Sequence, residues 1–348
     1  MKYAQSYKPN LMVGDQSYPA YQLRNLLRYL QLHYGEEVAS TLCSQIGVGI
    51  SELQHLQQIY VWQADFAMEF LQQYSDDPEI GAKVGCQYSV EDLDFLLNYF
   101  YRCKTIGECL QFVLSHPERV GSFTDTLVSS EEGKLRIRWL NTGKINPGRY
   151  SCQFQHSVCG LVTVGSGLAG QPIVFERIAL AENERKTDYL ASVTGAEIEF
   201  GAEFNEWVID QHYLSLPVTY EFNESKINKI AAQKPSYIES LLESLRQSFP
   251  DCPNMEQMAI QQNISSRTLR RKISQAGTSY QKLIDQVRCQ AAIGLILSGQ
   301  KSIDDIAEIM GFGDVSHFRQ SFKHWLGHPP GHFLRLNEAR GGGRGAED

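Results

Sequence analysis

An α+β N-terminal domain followed by an all-α C-terminal domain with two helix-turn-helix motifs joined by a long helix is the fold class this 348-residue sequence predicts. Three observations carry the prediction. Helical periodicity fills the first third, strand-like alternation replaces it up to about residue 215, and from Ser236 onward every segment is helical again. One helix–break–helix layout, at 254–277, then returns at 302–327. Charge divides the same way: residues 251–340 hold 11 Lys+Arg against 8 Asp+Glu, whereas residues 1–250 hold 20 against 30.

The elements follow in order. "YQLRNLLRYLQLHYG" sets Leu23, Leu26, Leu27 and Leu30 at helical spacing. "SELQHLQQIYVWQADFAMEFLQQYS" opens on a Ser51–Gln54 capping box and stays periodic, predicting one helix of several turns. "SVEDLDFLLNYFYRC" and "TIGECLQFVLSH" predict two more, capped by Ser89 and Thr105. "GSFTDTLVSSEEGKLRIRWLN" alternates on both sides of "EEGK", the pattern of a hairpin. "PIVFERIAL", "AEIEFG" and "EWVID" read as strands, with "DYLASVTG" a short helix between the first two. The predicted domains are thus 15–218, a polar linker at 219–235 ("VTYEFNESKINKIAAQKPSY", with Lys226, Lys229, Lys234 and Pro235), a helical domain at 236–338, and a flexible tail at 339–348.

Bulk properties exclude several classes. With 42% hydrophobic residues the chain can bury sizeable cores, and disorder over most of its length is excluded. "MKYAQSYKPNLMVGDQ" has no apolar h-region, and no run of 18 apolar residues occurs, so neither a secretory signal nor a membrane span is expected. None of the eight cysteines forms a C-x-x-C pair, the pattern of reduced thiols in a cytoplasmic protein.

The repeat carries the functional reading. In each copy a helix bears a small residue, Ala259 or Ala307; a break bears an apolar one, Ile264 or Phe312; a second helix bears Leu269 and Ile273, or Phe318 and Phe322. The steps are 48 residues for the alanines and 49 for Leu269 to Phe318. Two helices meeting steeply need a small side chain at closest approach and a tight turn. Apolar residues four apart anchor one face of the second helix and leave the other free to enter a DNA major groove. In the first copy that free face carries Ser265, Ser266, Arg267, Arg270 and Arg271, with Lys272 beside them; in the second it carries Ser316, Arg319, Gln320 and Lys323. Arginine pairs bidentately with guanine and glutamine suits adenine, while lysine and hydroxyls near a helix start suit phosphates. Between the copies "SYQKLIDQVRCQAAIGLILSG" predicts a spacer helix over 279–298. Its length of roughly 28 Å is close to one turn of DNA.

Residues 240–335 closely resemble the DNA-binding domain of AraC/XylS-family transcriptional regulators, on "SSRTLRRKISQAGTSYQKLIDQVR", "SIDDIAEIMGFGDVSHFRQSFKHWLG" and "HPPGHF". The resemblance implies base contacts from Arg267, Arg270 and Arg271 in the first copy and from Ser316, Arg319 and Gln320 in the second. Val315, where the family commonly has a polar reader, and Leu334, where it usually has arginine, depart from the pattern. "DPEIGAKVG", "TIGECLQF" and "TDYLASVTGAEIEFGAEFNEWVIDQHYLSLPV" resemble the non-cupin effector domain of ornithine-utilisation-type members. Together these imply a transcriptional activator that meets double-stranded promoter DNA, a small-molecule effector, a second copy of itself and RNA polymerase. The alternative is a regulator whose first domain only dimerises or binds a protein partner.

Other signals read as structural. Gly165-x-Gly167-x-x-Gly170 has the form of a dinucleotide fingerprint, yet Pro172 and a strand-like run follow where a helix must continue. "RYSCQFQHSVCGLVTVGSGLAG" is better read as a helix ending at glycines, so no cofactor is expected. His324, His328 and His332 step by four, but Pro329 and Pro330 break any shared helix, so no metal stripe is expected. Cys289 reads as a small buried residue. Tyr60, Trp62, Phe66, Phe70, Tyr99, Phe100 and Tyr101 read mainly as core, with some available to line an effector pocket. Neither a G-x-S-x-G elbow, a Walker loop nor a deaminase zinc signature occurs, which argues against an enzyme.

Overall fold

The computed structural model describes residues 6–8, 17–122, 124–140, 150–184, 188–223, 227, 236–326, 329–331 and 333–334. They divide into two compact units that meet in the sequence between 227 and 236. No helix among the described residues is long and apolar enough to cross a membrane.

Unit 1 begins with β1 (Ser6–Lys8), β2 (Ser17–Pro19), α1 (Ala20–Tyr34), α2 (Glu36–Ile46), α3 (Ile50–Leu53), β3 (Gln58–Tyr60) and α4 (Val61–Tyr74). The single helix expected from Ser51 to Tyr74 is therefore two helices separated by a strand. The pairing of β3 with β2, Tyr18 opposite Ile59, overrides the local periodicity and buries Ile59. Capping moves accordingly. The Gly49 amide donates to Glu52 Oε2 at 3.3 Å to open α3, and the Tyr60 amide to Gln63 Oε1 at 2.8 Å to open α4.

Next come α5 (Ile80–Gly85), a 3-10 helix over Val90–Leu96, α6 (Leu97–Phe100), α7 (Ile106–Ser115) and α8 (Pro117–Val120). The helix predicted from Ser89 winds mostly as 3-10. Val90, Leu93 and Leu96, three positions apart as the turn of that helix requires, are buried together with Phe95. Ser89 still engages Asp92, whose carboxylate also accepts from Arg28 of α1 at 2.9 Å. Thr105 caps α7 through the Glu108 amide at 3.2 Å.

The hairpin forms as expected, β4 (Thr126–Glu131) with β5 (Lys134–Trp139). Glu132 (φ 48°) and Gly133 (φ 77°) form its two-residue turn, both in the left-handed region such a turn requires. After them come α9 (Ser151–Ala169), β6 (Arg177–Leu180), α10 (Asp188–Thr194), β7 (Glu197–Phe200), β8 (Glu206–Asp210) and a 3-10 helix over Gln211–Ser215. The sheet runs β1-β4-β5-β8-β6-β7, antiparallel except for β6 with β7. Leu135, Ile137 and Trp139 turn to the core together with Ile178, Leu180, Trp207 and Ile209. On the other face Arg136, Arg138 and Arg177 surround the buried Glu206 carboxylate, so the charge that burial strands there is compensated threefold.

α9 lies on the inner face of the sheet, with Phe154 edge-on to Trp139 at 5.1 Å between ring centroids. Against α9 packs α5, at backbone contact: a Cβ added at Gly81 would stand 2.2 Å from Cys152 O, and one at Gly85 would stand 2.3 Å from His156 O. Only glycine permits this approach. The start of the polar segment 219–235 belongs to this unit by its hydrogen bonds, the Thr219 amide donating to Leu168 O at 2.8 Å. Lys226, Lys229, Lys234 and Pro235 lie outside the described residues.

Unit 2 comprises α11 (Tyr237–Ser248), α12 (Met255–Gln261), α13 (Ser266–Gln275), α14 (Tyr280–Ser298), α15 (Ile303–Ile309) and α16 (Val315–Leu326). Ser236 caps α11 and Ser279 caps α14, the 19-residue spacer helix. Its core gathers Leu241, Leu242 and Leu245 of α11 with Leu283, Val287, Ala292, Ile293 and Ile296 of α14. Cys289 is buried among them.

Candidate nucleic-acid interface and internal cavity

The two copies in unit 2 match atom for atom at their turning points. Asn254 caps α12 through the Gln257 amide at 2.9 Å, and Ser302, 48 positions on, caps α15 through the Asp305 amide at 3.1 Å. Ala259 and Ala307 are buried at the crossings. The turn reverses at a left-handed residue in both copies, Asn263 (φ 52°) and Gly311 (φ 78°). Both first helices then close with the same carbonyl bond, Ile264 N–H to Ala259 O at 3.0 Å and Phe312 N–H to Ala307 O at 2.9 Å. Past this point the second copy has one more residue, Gly313, which turns the 48-residue step into 49. Ser265 then caps α13 and Asp314 caps α16.

Leu269 and Ile273 are buried on α13, Phe318 and Phe322 on α16, as the spacing predicts. At about 100° per residue, the face opposite Leu269 and Ile273 centres on Arg267 and Arg271, with Arg270 on one flank and Lys272 on the other. Arg267, Arg270 and Arg271 are exposed and form no ion pair among the described residues. Ser266 is half-buried. Lys272 turns away, its ammonium 4.1 Å from the centroid of the Tyr237 ring on α11. The Ser265 hydroxyl is engaged at the helix start, accepting from the Thr268 amide at 3.1 Å. On α16, Ser316, Arg319, Gln320 and Lys323 are all exposed. By the 49-residue step they correspond to Arg267, Arg270, Arg271 and Ser274. Ser274, also exposed, is the first copy's counterpart of Lys323 and was not among the residues picked out in the sequence. His317 and His324 share the exposed side of α16, whereas His328 and His332 lie outside the described residues.

The copies differ in what fills them. Phe312 stands edge-on to Phe318 at 5.4 Å, and Phe322 to Phe333 at 5.4 Å, so the closing aromatic of "HPPGHF" completes an aromatic core beneath α16. The first copy fills the same place with Leu269, Ile273 and Ile264.

Unit 1 encloses a cavity with about 970 Å³ of empty space, part of it open to solvent. α1, α7, α9, the 3-10 helix over Val90–Leu96 and the inner face of the sheet supply its walls. Leu93, Leu114, Ile137, Trp139, Val158 and Leu161 make most of the surface apolar. The polar contributions come from one region. Tyr88 Oη lies 3.2 Å from His156 Nε2, Tyr21 Oη donates to Val120 O at 3.2 Å, and Gln22 Nε2 donates to the same carbonyl at 2.6 Å. Burial depresses the His156 pKa to about 4, so the ring is neutral at physiological pH. Of the aromatics picked out in the sequence, Phe100 lines this cavity, while Tyr60, Trp62, Phe66 and Tyr101 are exposed.

Gly165 and Gly167 lie inside α9, which ends at Gly170 (φ 66°); no helix N-terminus faces a phosphate there. No group of three or more candidate metal ligands occurs among the described residues.

Comparison with known proteins agrees with this division. Residues 38–218 match the family model described as the arabinose-binding domain of AraC transcription regulator, N-terminal, and residues 258–336 match that of a helix-turn-helix domain. The chain is 24% identical over 265 residues to the ornithine utilization regulator of Pseudomonas aeruginosa, covering 73% of this chain and 78% of that one. It is 29% identical over 117 residues to the HTH-type transcriptional activator RhaS of Klebsiella pneumoniae, covering 33% of this chain and 42% of that one. Among solved structures, the transcriptional regulator CdpR from Pseudomonas aeruginosa aligns over 94% of this chain and 100% of its own, with 16% identity and a TM-score of 0.41. With one family model spanning more than half of its length, this chain belongs to the AraC family of DNA-binding transcription regulators.

Proposed function

We propose that this regulator activates transcription in response to a small molecule held in the unit 1 cavity, and reads its promoter through α13 and α16. The observation that carries the reading is the duplicated turn geometry, which leaves equivalent exposed polar faces on two helices of one unit. Arg267 and Arg271, central on their face, are the candidates for bidentate guanine contacts, and Gln320 for adenine. Ser316, Arg319, Lys323 and Arg270 complete the readers. Ser265, Ser266 and Lys272 serve the phosphates beside them, Lys272 only if it leaves Tyr237. α14, 19 residues and so about 28 Å long, is a spacer of nearly one DNA turn.

The test is a gel shift on the cognate promoter at fixed salt. Arg267→Ala with Arg271→Ala removes two bidentate contacts of about 1–3 kcal/mol each, so affinity falls roughly a hundredfold or more. Lys272→Ala changes affinity only a few-fold and leaves sequence preference intact. An unchanged dissociation constant for the double variant refutes the site assignment.

A second reading, in which unit 1 serves only to pair two copies, is favoured by one feature. Trp62, Phe66, Phe70 and Tyr74 recur every fourth residue along α4, and Trp62 and Tyr74 are 44% and 49% exposed. If this stripe is the dimer contact, Trp62→Glu with Phe66→Glu yields monomers by sedimentation. If it is the unit's sole role, no small molecule raises the melting temperature of the wild-type chain.

A further inference from the structure

The charge and lining of the cavity go beyond the effector proposal, on which the following rests. We infer that the site takes an uncharged amphiphile, with one hydrogen-bonding head and an apolar body, and rejects amino acids, sugars and ions.

The cavity has two lobes. The polar side chains already described belong to the first lobe, whose lining includes Tyr21, Gln22, Tyr88, Ser122, Thr126, His156 and Ser157. A second lobe, with about 500 Å³ of empty space that includes open solvent, shares Phe100, Val164 and Trp207 with the first and is also lined by Ile106, Ile173 and Leu214. Its only side-chain polar groups among the described lining are the Trp207 indole N–H and the Cys109 thiol, and burial holds that thiol well above its ordinary range, so it stays protonated. A sugar needs partners for hydroxyls all around its ring. The second lobe offers no more than the Trp207 indole N–H and the Cys109 thiol, and each buried hydroxyl left without a partner weighs against binding.

The lining residues described in both lobes include no aspartate, glutamate, lysine or arginine. Nothing there pairs with a carboxylate or an ammonium, and His156 is held neutral by the same burial. An ionic ligand would lose its hydration without compensation. An uncharged head, by contrast, is well served. Tyr21, Gln22, Tyr88, Thr126 and His156 put hydroxyl, amide and imidazole groups in the lining, the chemistry that meets a ligand hydroxyl or amide. An apolar body then fills the second lobe.

The experiment uses the full-length chain at pH 7.5 with the neutral fluorophore N-phenyl-1-naphthylamine, displaced in turn by 1-decanol, decanoate, L-ornithine and L-arabinose. Decanol is expected to displace the probe, decanoate at least about tenfold more weakly, and the other two not at all. Leu161→Trp, which fills the wall shared by both lobes, is expected to abolish decanol displacement; Val113→Phe provides the same test should the first variant fail to fold. If decanoate, ornithine or arabinose displaces as well as decanol, and the filled variants lose it, the ligand class is wrong while the effector reading stands. If the probe does not bind, or binds both filled variants as it binds the native chain, the cavity is not a ligand site and the effector reading fails with the inference.

Discussion

Unit 1 and unit 2 solve the problem of close packing in opposite ways. In unit 2 the closest approaches use alanine, Ala259 and Ala307, and large side chains fill the remaining space: Phe318, Phe322 and Phe333 are among the largest fully buried residues of the chain. In unit 1 two helices meet at bare backbone, through Gly81 and Gly85, while space beside them stays empty. Interiors normally pack to crystal density, whereas the space left in unit 1 is lined mostly by apolar side chains and is partly open to solvent. The difference is between a unit whose close approaches leave large side chains to fill the rest and one whose backbone contact stands beside unfilled apolar space.

The largest expected effect breaks the unit 1 arrangement. Gly81→Ala with Gly85→Ala places two Cβ atoms 2.2 and 2.3 Å from backbone oxygens of α9, which cannot move without displacing the helix. Overpacking usually costs about 1–3 kcal/mol per site, and contacts this short against backbone lie at the upper end, so about 5 kcal/mol is expected for the pair. Calorimetry should show unit 1 unfolded or strongly lowered in melting temperature. A double variant that melts like the native chain would mean that α5 and α9 do not meet at backbone contact.

In unit 2 the comparable loss is a cavity, not a clash. Phe318→Ala removes a ring at the centre of the aromatic cluster and should cost about 4 kcal/mol, against about 3 kcal/mol for Leu269→Ala at the corresponding place in the first copy. Urea denaturation of the two variants ranks them. Equal losses would mean that the aromatic filling of the second copy adds nothing beyond the aliphatic one.

These two units were also unequally legible in the sequence. The repeat in unit 2 could be read because local signals fix it: small residues at Ala259 and Ala307, apolar residues in the breaks at Ile264 and Phe312, apolar pairs four apart on the second helices. The outward side of α13 was readable too, but Lys272 was placed there because sequence spacing does not show that α11 brings Tyr237 beneath it. In unit 1 the hairpin and α9 were readable from alternation and from terminal glycines. The stretch from Ser51 to Tyr74 was not, because a strand of three residues has no period to detect and exists only through its partner β2. The cavity was hidden for the same reason. Its wall is assembled from α1, α7, α9 and the sheet, and of the seven aromatics singled out in the sequence, Phe100 lines it.

A pH titration sharpens the contrast. The unfolded chain protonates His156 near 6.5, whereas burial keeps it neutral in the folded chain until about pH 4. Between those values the unfolded state binds the extra proton, so the stability of unit 1 is full above 6.5 and falls as the pH drops, by about 3 kcal/mol in all. His156→Gln retains an acceptor for Tyr88 and should flatten the slope of melting temperature against pH. A native-like slope in the variant would place the acid sensitivity elsewhere.

The smallest effect tests whether the two turns of unit 2 are one device. Asn263 and Gly311 hold the same left-handed conformation 48 residues apart, and no atom lies within 4 Å of where a Cβ on Gly311 would sit. Substitution there meets no neighbour, so its cost is the backbone preference alone. Gly311→Ala should lose about 1 kcal/mol, because a β-carbon crowds the carbonyl in this region. Gly311→Asn should lose less, since asparagine tolerates the conformation through local hydrogen bonding, and Asn263→Gly should gain a few tenths of a kcal/mol. If the turns are equivalent, Asn263→Ala costs less than Gly311→Ala by the amount that Gly311→Asn costs, and urea midpoints close that cycle. Should Asn263→Ala cost far more, the asparagine side chain holds the first turn in a way the second turn does without.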